Sequence, residues 1–385
     1  MLKTIDPFFV LMDRPKSIVA ATGFCLLVLC AAVSRGQSVN IALSNVEDTG
    51  NAPDPTTGDG EVDYDYAIGT YDVTVAQYCA FLNAVATTPN SVDTTADPYG
   101  CYNSSMDNSS ANEGIVQVQG GISGDYTYSV VGDSCNDPIT YVTWLDAARF
   151  CNWLQNGEPT TGVENCSTTE MGAYTLDGDT TNGLEPRNPG ATYFIPTLNE
   201  WYKAAFYNPT LNSGSGGYYL YATQYNCAPG NTVGNQPNQA NYYTGAGYSV
   251  TQEPDYDSTV NYLTPVGAFT ASTSYYGTYD QSGDVFNWTE TNINGYPGLM
   301  GDAWDYNALD SSYAASGYNY SQAYQSYGDL GFRITAVQAV PETPPLSIFL
   351  TGASCLLLMR RKLRPSAFPR RGSLTGGGRN PADPP

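Results

Sequence analysis

The 385 residues suffice for one large domain or two modest ones, and they are acidic: 37 Asp and Glu against 15 Lys and Arg, a net charge of −22. Residues 37–340 hold four basic side chains (Arg149, Arg187, Lys203, Arg333) and 33 acidic ones, a net of −29. So acidic a body repels phosphate backbones, which argues against nucleic acid as a partner; the absence of histidine removes histidine general bases, Ser-His-Asp triads, two-His iron centres and His-rich zinc sites together.

Arg14 and Lys16 precede an apolar run from Ile18 to Val33, followed by small and polar residues. This is the pattern of a secretory signal peptide over residues 1–36, cleaved near Gly36. Residues 37–61, rich in Asp, Gly, Pro and Thr, read as an extended N-terminal arm. The main domain is then expected over 62–337. Val62–Val73 alternates well enough for strand structure.

Three helices are announced alike. Thr74-x-x-Gln77, Thr143-x-x-Asp146 and Thr197-x-x-Glu200 each place a hydroxyl cap three residues before a side chain that can reach back. Tyr78, Phe81, Leu82 and Val85 then form one apolar stripe, and Ala147, Phe150, Cys151 and Leu154 another. Trp201, Ala204 and Ala205 follow in the third before Pro209 stops it. These stripes read as core.

Between them lie Thr87–Asp137, Gly157–Gly190 and Asn208–Asn261, long segments rich in Gly, Asn, Ser and Tyr. Tyrosine in that company suits contact with sugars or proteins at low entropic cost. Irregular loops stitched by hydrogen bonds and ions are the alternative. Six cysteines fall within this body: Cys79, Cys101, Cys135, Cys151, Cys166 and Cys227. An even number in an exported chain suggests disulfides, with 15 possible pairings. The four basic residues are expected as paired structural cations.

Ser274–Glu290 cannot be a regular helix, because Gly277 and Gly283 interrupt it. Its oxygen-bearing side chains, Asp280, Ser282, Asp284, Asn287 and Glu290, could converge on a hard cation such as calcium. A turn feeding a strand, with Phe286 and Trp288 buried and the acids in water, is the plainer reading, and spacing alone favours it.

The C-terminal region carries Val340, Pro341 and Glu342, then Thr343-Pro344, an apolar run from Leu346 to Met359, and Arg360-Arg361-Lys362-Leu363-Arg364. As a helix the run would span about 21 Å, short of the roughly 30 Å hydrocarbon core. Residues 340–364 resemble a PEP-CTERM sorting signal with a short transmembrane helix, which implies exosortase processing and transient membrane association. Threonine replaces the usual second proline, and a polar tail (365–385) continues beyond; a plain C-terminal anchor is the alternative.

The stretch Ser274–Glu290 resembles the G-L-Y-D-M-x-G-N-V-W-E-W-T signature of the formylglycine-generating enzyme (sulfatase-modifying factor) family. Val73–Leu82, Pro138–Ala147, Tyr193–Ala204, Thr264–Phe269 and the closing Gly331-Phe332-Arg333-Ile334 match further family patterns in order. The resemblance implies an α+β, C-type-lectin-like fold with few helices, short strands and long irregular loops.

The family's oxidases bind copper through two cysteines before the closing G-F-R. Register from Trp304 puts Tyr306 and Ser311 at those positions, and no cysteine lies between Cys227 and Cys355. A hydroxyl binds Cu(I) poorly and cannot form a mixed disulfide, so copper is not expected. By resemblance, one calcium site maps to Asp280, Gly283, Val285 and Asn287. A second starts at Asn241 and Tyr242, with further ligands from Asp255 or Asp257. Cys151 bridges in some relatives to a cysteine after G-F-R. Here Ile334 and Thr335 follow, leaving Cys79 as a substitute.

The expectation is an exported module without the catalytic cysteine pair, on the cell surface or in the extracellular matrix, stabilised by calcium and binding polysaccharide or a surface protein. The competing reading is an active enzyme of the family: a formylglycine-generating-type oxidase, or one acting through other residues such as Asp302, Asp305, Tyr306 and Asp310.

Overall fold

Hydroxyl caps start the three principal helices, α1 (Val75–Val85), α2 (Trp144–Gln155) and α3 (Leu198–Phe206). In each, the threonine accepts from the backbone N–H three residues on, and that residue's side chain accepts from the threonine N–H. Two amides without helical partners are thereby satisfied at every start. The computed structural model describes residues 38–89, 96–108, 113–121, 125–307 and 319–337. The segment expected as a signal peptide, the Val340-Pro341-Glu342 motif, the apolar run behind it, Asp310 and Ser311 lie outside the described residues.

Both predicted stripes are buried. Phe81 meets Phe150 edge-on at 5.4 Å, Phe150 meets Trp153 at 5.6 Å, and Phe332 of the closing segment meets Phe150 at 5.5 Å. Edge-to-face rings of this kind add to the area they bury, so α1, α2 and the closing segment share one core.

The strands are β1 (Leu43–Val46), β2 (Tyr66–Gly69), β3 (Asp107–Asn108), β4 (Glu113–Gln119), β5 (Tyr126–Val130), β6 (Tyr193–Phe194), β7 (Tyr207–Asn208), β8 (Gly217–Tyr218), β9 (Phe286–Ile293), β10 (Tyr296–Met300), β11 (Asn319–Tyr320), β12 (Leu330–Gly331) and β13 (Thr335–Val337). One sheet runs β1-β2-β13-β6, all antiparallel, so the segment expected as an arm contributes an edge strand. A second runs β11-β10-β9-β12, with β12 parallel to β9. Strands β3-β4-β5 form a third sheet inside Thr87–Asp137, where sequence showed only loop, and β7-β8 pair alone. The result is α+β with short strands and long irregular connections.

One expected strand is shorter than its pattern. Val62–Val73 yields β2 alone, and Asp72 beyond its end is buried against Arg333. The closing stretch divides: Gly331 ends β12 in the second sheet, and β13 begins at Thr335 in the first. Arg333 lies between them, fully buried. Gly157–Gly190 is held by side chains instead. Asp179 accepts from the backbone of Thr181, Asn182 and Gly183, and Glu170 accepts from Arg149 and the Gly178 N–H.

Cys79, Cys101 and Cys151 are buried free thiols, and Cys166 and Cys227 are exposed free thiols. The suggested Cys79–Cys151 bridge is therefore absent; both side chains serve as small apolar core groups. No helix among the described residues is long and apolar enough to cross a membrane.

Candidate functional site

All four basic residues of the body are engaged. Arg149 pairs with Glu170 at 2.8 Å, Arg187 with Glu290 at 2.6 Å and Glu200 at 3.3 Å, and Arg333 with Asp72 at 3.1 Å. The Lys203 ammonium donates to the Asp48 carbonyl at 2.9 Å. Burial lowers the pKa of Lys203.

The closing segment delivers Arg333 to a joint between both sheets and α3. Its Nε donates to the Asn287 carboxamide oxygen on β9 at 2.7 Å, its Nη1 to the Gly69 carbonyl of β2 at 3.0 Å, and its Nη2 to both Asp72 oxygens at 3.1 Å. Trp201 of α3 donates to the same Asn287 oxygen at 2.8 Å, and the Asn287 amide nitrogen donates to Asp72 at 2.7 Å.

Beside this joint stand Asp280 and Asp284. Asp284 is buried, with Asn241 donating to it at 2.8 Å and the Thr264 hydroxyl at 3.1 Å. Half-buried Asp280 accepts the Gly267 N–H at 2.7 Å. Burial pushes the Asp280 carboxyl up to about 7, with Asp72 adding to the effect. Asp284 is pushed well above its ordinary range by burial and then by Asp280. Burial also raises Asp72, which Arg333 partly offsets. Among the described residues, three carboxyls thus share one paired guanidinium, an imbalance that protons or a cation must relieve.

That imbalance and the hard oxygen donors suit calcium, whereas six to eight ligands are its usual complement. The donors available to such an ion are Asp280, Asp284 and the carbonyls of Gly283 and Val285, of which Asp284 Oδ1 already accepts from Asn241 and the Thr264 N–H and the Val285 carbonyl from Asn287. The Asn287 oxygen already accepts two hydrogen bonds, so its role here is to position Arg333 and Trp201. The two sequence-derived sites adjoin: the Asp284 N–H donates to the Asn241 carbonyl at 2.8 Å, and Asn241 also reaches the Tyr262 carbonyl. The Tyr242 carbonyl accepts from Asn231 and Ser249. Asp257 is exposed and caps its own turn through Thr259, and Asp255 is exposed as well. The second set is not gathered.

Tyr306 is exposed and meets Phe286 edge-on at 4.9 Å. Asp302 is buried while Asp305 and Tyr306 are exposed, so these three do not share one environment. Next to them Trp304 lies nearly parallel to Tyr262 (5.1 Å, 15°) and Tyr256 (6.0 Å, 21°). Tyr256 and Tyr262 are 5.3 Å apart at 25°, and Tyr248 closes against all three. The Trp304 backbone N–H donates to the Asp284 carbonyl at 3.1 Å, tying this aromatic cluster to the carboxylate pair. Sequence flagged the tyrosine-rich segment but not these rings; Trp304 amid Asp and Tyr was the available signal.

Capped helices on short sheets, joined by a buried Arg–Asn–Asp centre, make up an α+β domain. The chain belongs to the sulfatase-modifying factor enzyme 1-like domain family, whose model matches residues 37–337. Similar solved structures include CarF, at 18% identity over 78% of this chain and 99% of that one (TM-score 0.45). Treponema denticola variable protein 1 is 15% identical over 79% and 97% of the two chains (TM-score 0.42). PvdO from Pseudomonas aeruginosa is 15% identical over 77% and 94% (TM-score 0.39). No curated protein matches the chain.

Proposed function

We propose that this domain is an exported binding module that holds neutral polysaccharide on Tyr256 and Trp304, with the buried Tyr262 packed against both and calcium at Asp280 and Asp284 stiffening the loops behind them. The near-parallel packing of those rings carries the reading. Flat aromatic faces contact the C–H faces of a sugar ring with few torsions to freeze, and Tyr256 is 59% exposed. The surrounding Glu253, Asp255, Asp257 and Asp305 disfavour acidic glycans.

Formylglycine synthesis is not part of this reading, because the resemblance aligns Tyr306 and Ser311 with the family's thiol positions and no cysteine lies between Cys227 and Cys355. The N-terminal apolar run and the 340–364 segment support export and exosortase sorting to the cell surface or matrix. Retention of the purified protein on a glycan array, strongest on neutral polysaccharide and reduced at least tenfold in Tyr256→Ala, is the expected result. Copper-dependent formation of an aldehyde on a cysteine-containing sulfatase peptide would overturn it.

A further inference from the structure

A cavity opens at the start of α2 and shares no lining residue with the aromatic cluster. Its volume is about 360 Å³, at the small end of the roughly 300–1,000 Å³ typical of small-molecule sites. Arg149, itself 0% exposed, lines it. The Arg149 Nε and Nη2 donate to Glu170 at 2.8 and 3.1 Å, and Nη2 also to the Asp179 carbonyl at 2.7 Å. Its Nη1 is buried and has no hydrogen-bond partner among the described residues. The guanidinium lies 4.8 Å from the centre of the Tyr99 ring, another wall of the cavity, which fixes its plane. A buried guanidinium donor without an acceptor is costly, so its presence at a cavity wall points to a ligand oxygen.

The charge around Arg149 identifies the kind of oxygen. Its positive charge is already met by a two-pronged pair with Glu170, and the Asp146 carboxyl lines the same cavity. An anionic ligand would therefore enter a locus that is not positive. A hydroxyl fits better, because it accepts from Arg149 while donating to a carboxylate. Thr143, Thr180, Tyr324 and Ser326 add hydroxyls of both capacities to the walls.

We propose that this cavity is a subsite for a single neutral sugar unit, with Arg149 Nη1 donating to a sugar oxygen and Asp146 accepting from a neighbouring hydroxyl. The subsite deepens the polysaccharide reading and rests on it for the ligand class.

Between residues 37 and 340 the chain has three arginines, so guanidinium resonances of ¹⁵N-arginine-labelled protein can be assigned by substitution. The probes are methyl α-glucoside, methyl α-galactoside and methyl α-mannoside, with methyl glucuronide as the anionic control. At least one neutral glycoside shifts the Arg149 signal saturably, and the glucuronide binds at least tenfold more weakly. Thr180→Trp, a change at an exposed rim residue, abolishes the shift, whereas Tyr256→Ala retains it. Silence of the Arg149 signal with all three neutral probes, equal binding of the glucuronide, or an undiminished shift in Thr180→Trp would overturn the proposal. If polysaccharide retention depends on Tyr256 while no glycoside moves Arg149, the aromatic platform stands and the subsite falls. If a glycoside shifts Arg149 saturably while retention is indifferent to Tyr256→Ala, the subsite stands and the platform falls.

Discussion

Arg333 donates from Nε to the carboxamide oxygen of Asn287 at 2.7 Å, and that oxygen also receives the Trp201 indole. One side chain of β9 therefore orients the cation of the closing segment and the largest ring of α3. Because Asp72 completes the arrangement, removing Arg333 leaves a buried carboxylate without its cation, while the Asn287 oxygen keeps the Trp201 indole. Arg333→Met is expected to lower unfolding free energy by about 3–5 kcal/mol. Arg187→Met also leaves the buried Glu200 without its cation, but Arg187 is itself 22% exposed, so it should cost less than Arg333→Met. Adding Asp72→Leu to Arg333→Met should restore part of the loss. Denaturant midpoints of the four proteins check this; equal losses for the two arginines would place the joint elsewhere.

Stability without calcium should fall as pH rises from about 4 to about 7. Asp280 and Asp146 have folded values of about 7 against an ordinary 3.8, and Asp284 is raised in the same direction. Between the unfolded and folded values the folded state holds more protons, so this stabilisation is complete below the unfolded value and lost on passing through the folded one. The chain has no histidine to titrate in that window. In chelator, the melting temperature at pH 5 should exceed that at pH 7.5. Excess calcium at pH 7.5 should raise it again, and Asp284→Asn should blunt both effects. A flat profile in chelator would remove the buried-carboxyl account.

What could be read from sequence was what neighbours in sequence decide. Thr74 with Gln77, Thr143 with Asp146 and Thr197 with Glu200 lie three residues apart, and all three caps form. Arg333 and Asp72 are 261 positions apart, and their meeting depends on how the two sheets close. The tyrosine-rich segment was visible as a surface. That Tyr256 packs on Trp304 needed the turn at Asp284, whose carbonyl receives the Trp304 backbone N–H. Asn287 suits a cation by residue type and by resemblance. Its oxygen is instead engaged by Trp201, 86 positions away, a contact that no local pattern encodes.

Gly283 should tolerate no side chain. Its φ is +108°, and a Cβ there would lie 2.1 Å from the Asn241 carbonyl oxygen. Backbone strain alone costs about 1–3 kcal/mol, and here the Asn241 carbonyl would have to move as well. Gly295 provides the control, with φ of +93° and nothing within 4 Å of an added Cβ. Gly283→Ala should therefore destabilise clearly more than Gly295→Ala in thermal unfolding. Comparable losses would mean that the close approach to Asn241 contributes nothing.

Thiol chemistry separates the free cysteines by burial. Cys166 and Cys227 are exposed and should react with iodoacetamide in the folded protein. Cys79, Cys101 and Cys151 are buried; burial pushes the Cys79 thiol up to about 12 and raises the other two well above their ordinary range. Few thiolates form there at neutral pH, and the reagent cannot reach them without local opening. Mass mapping after a brief native pulse should place label on Cys166 and Cys227, with Cys79, Cys101 and Cys151 joining only in denaturant. If Cys79 and Cys151 stay unlabelled in denaturant until a reductant is added, the two are bridged and the free-thiol assignment fails.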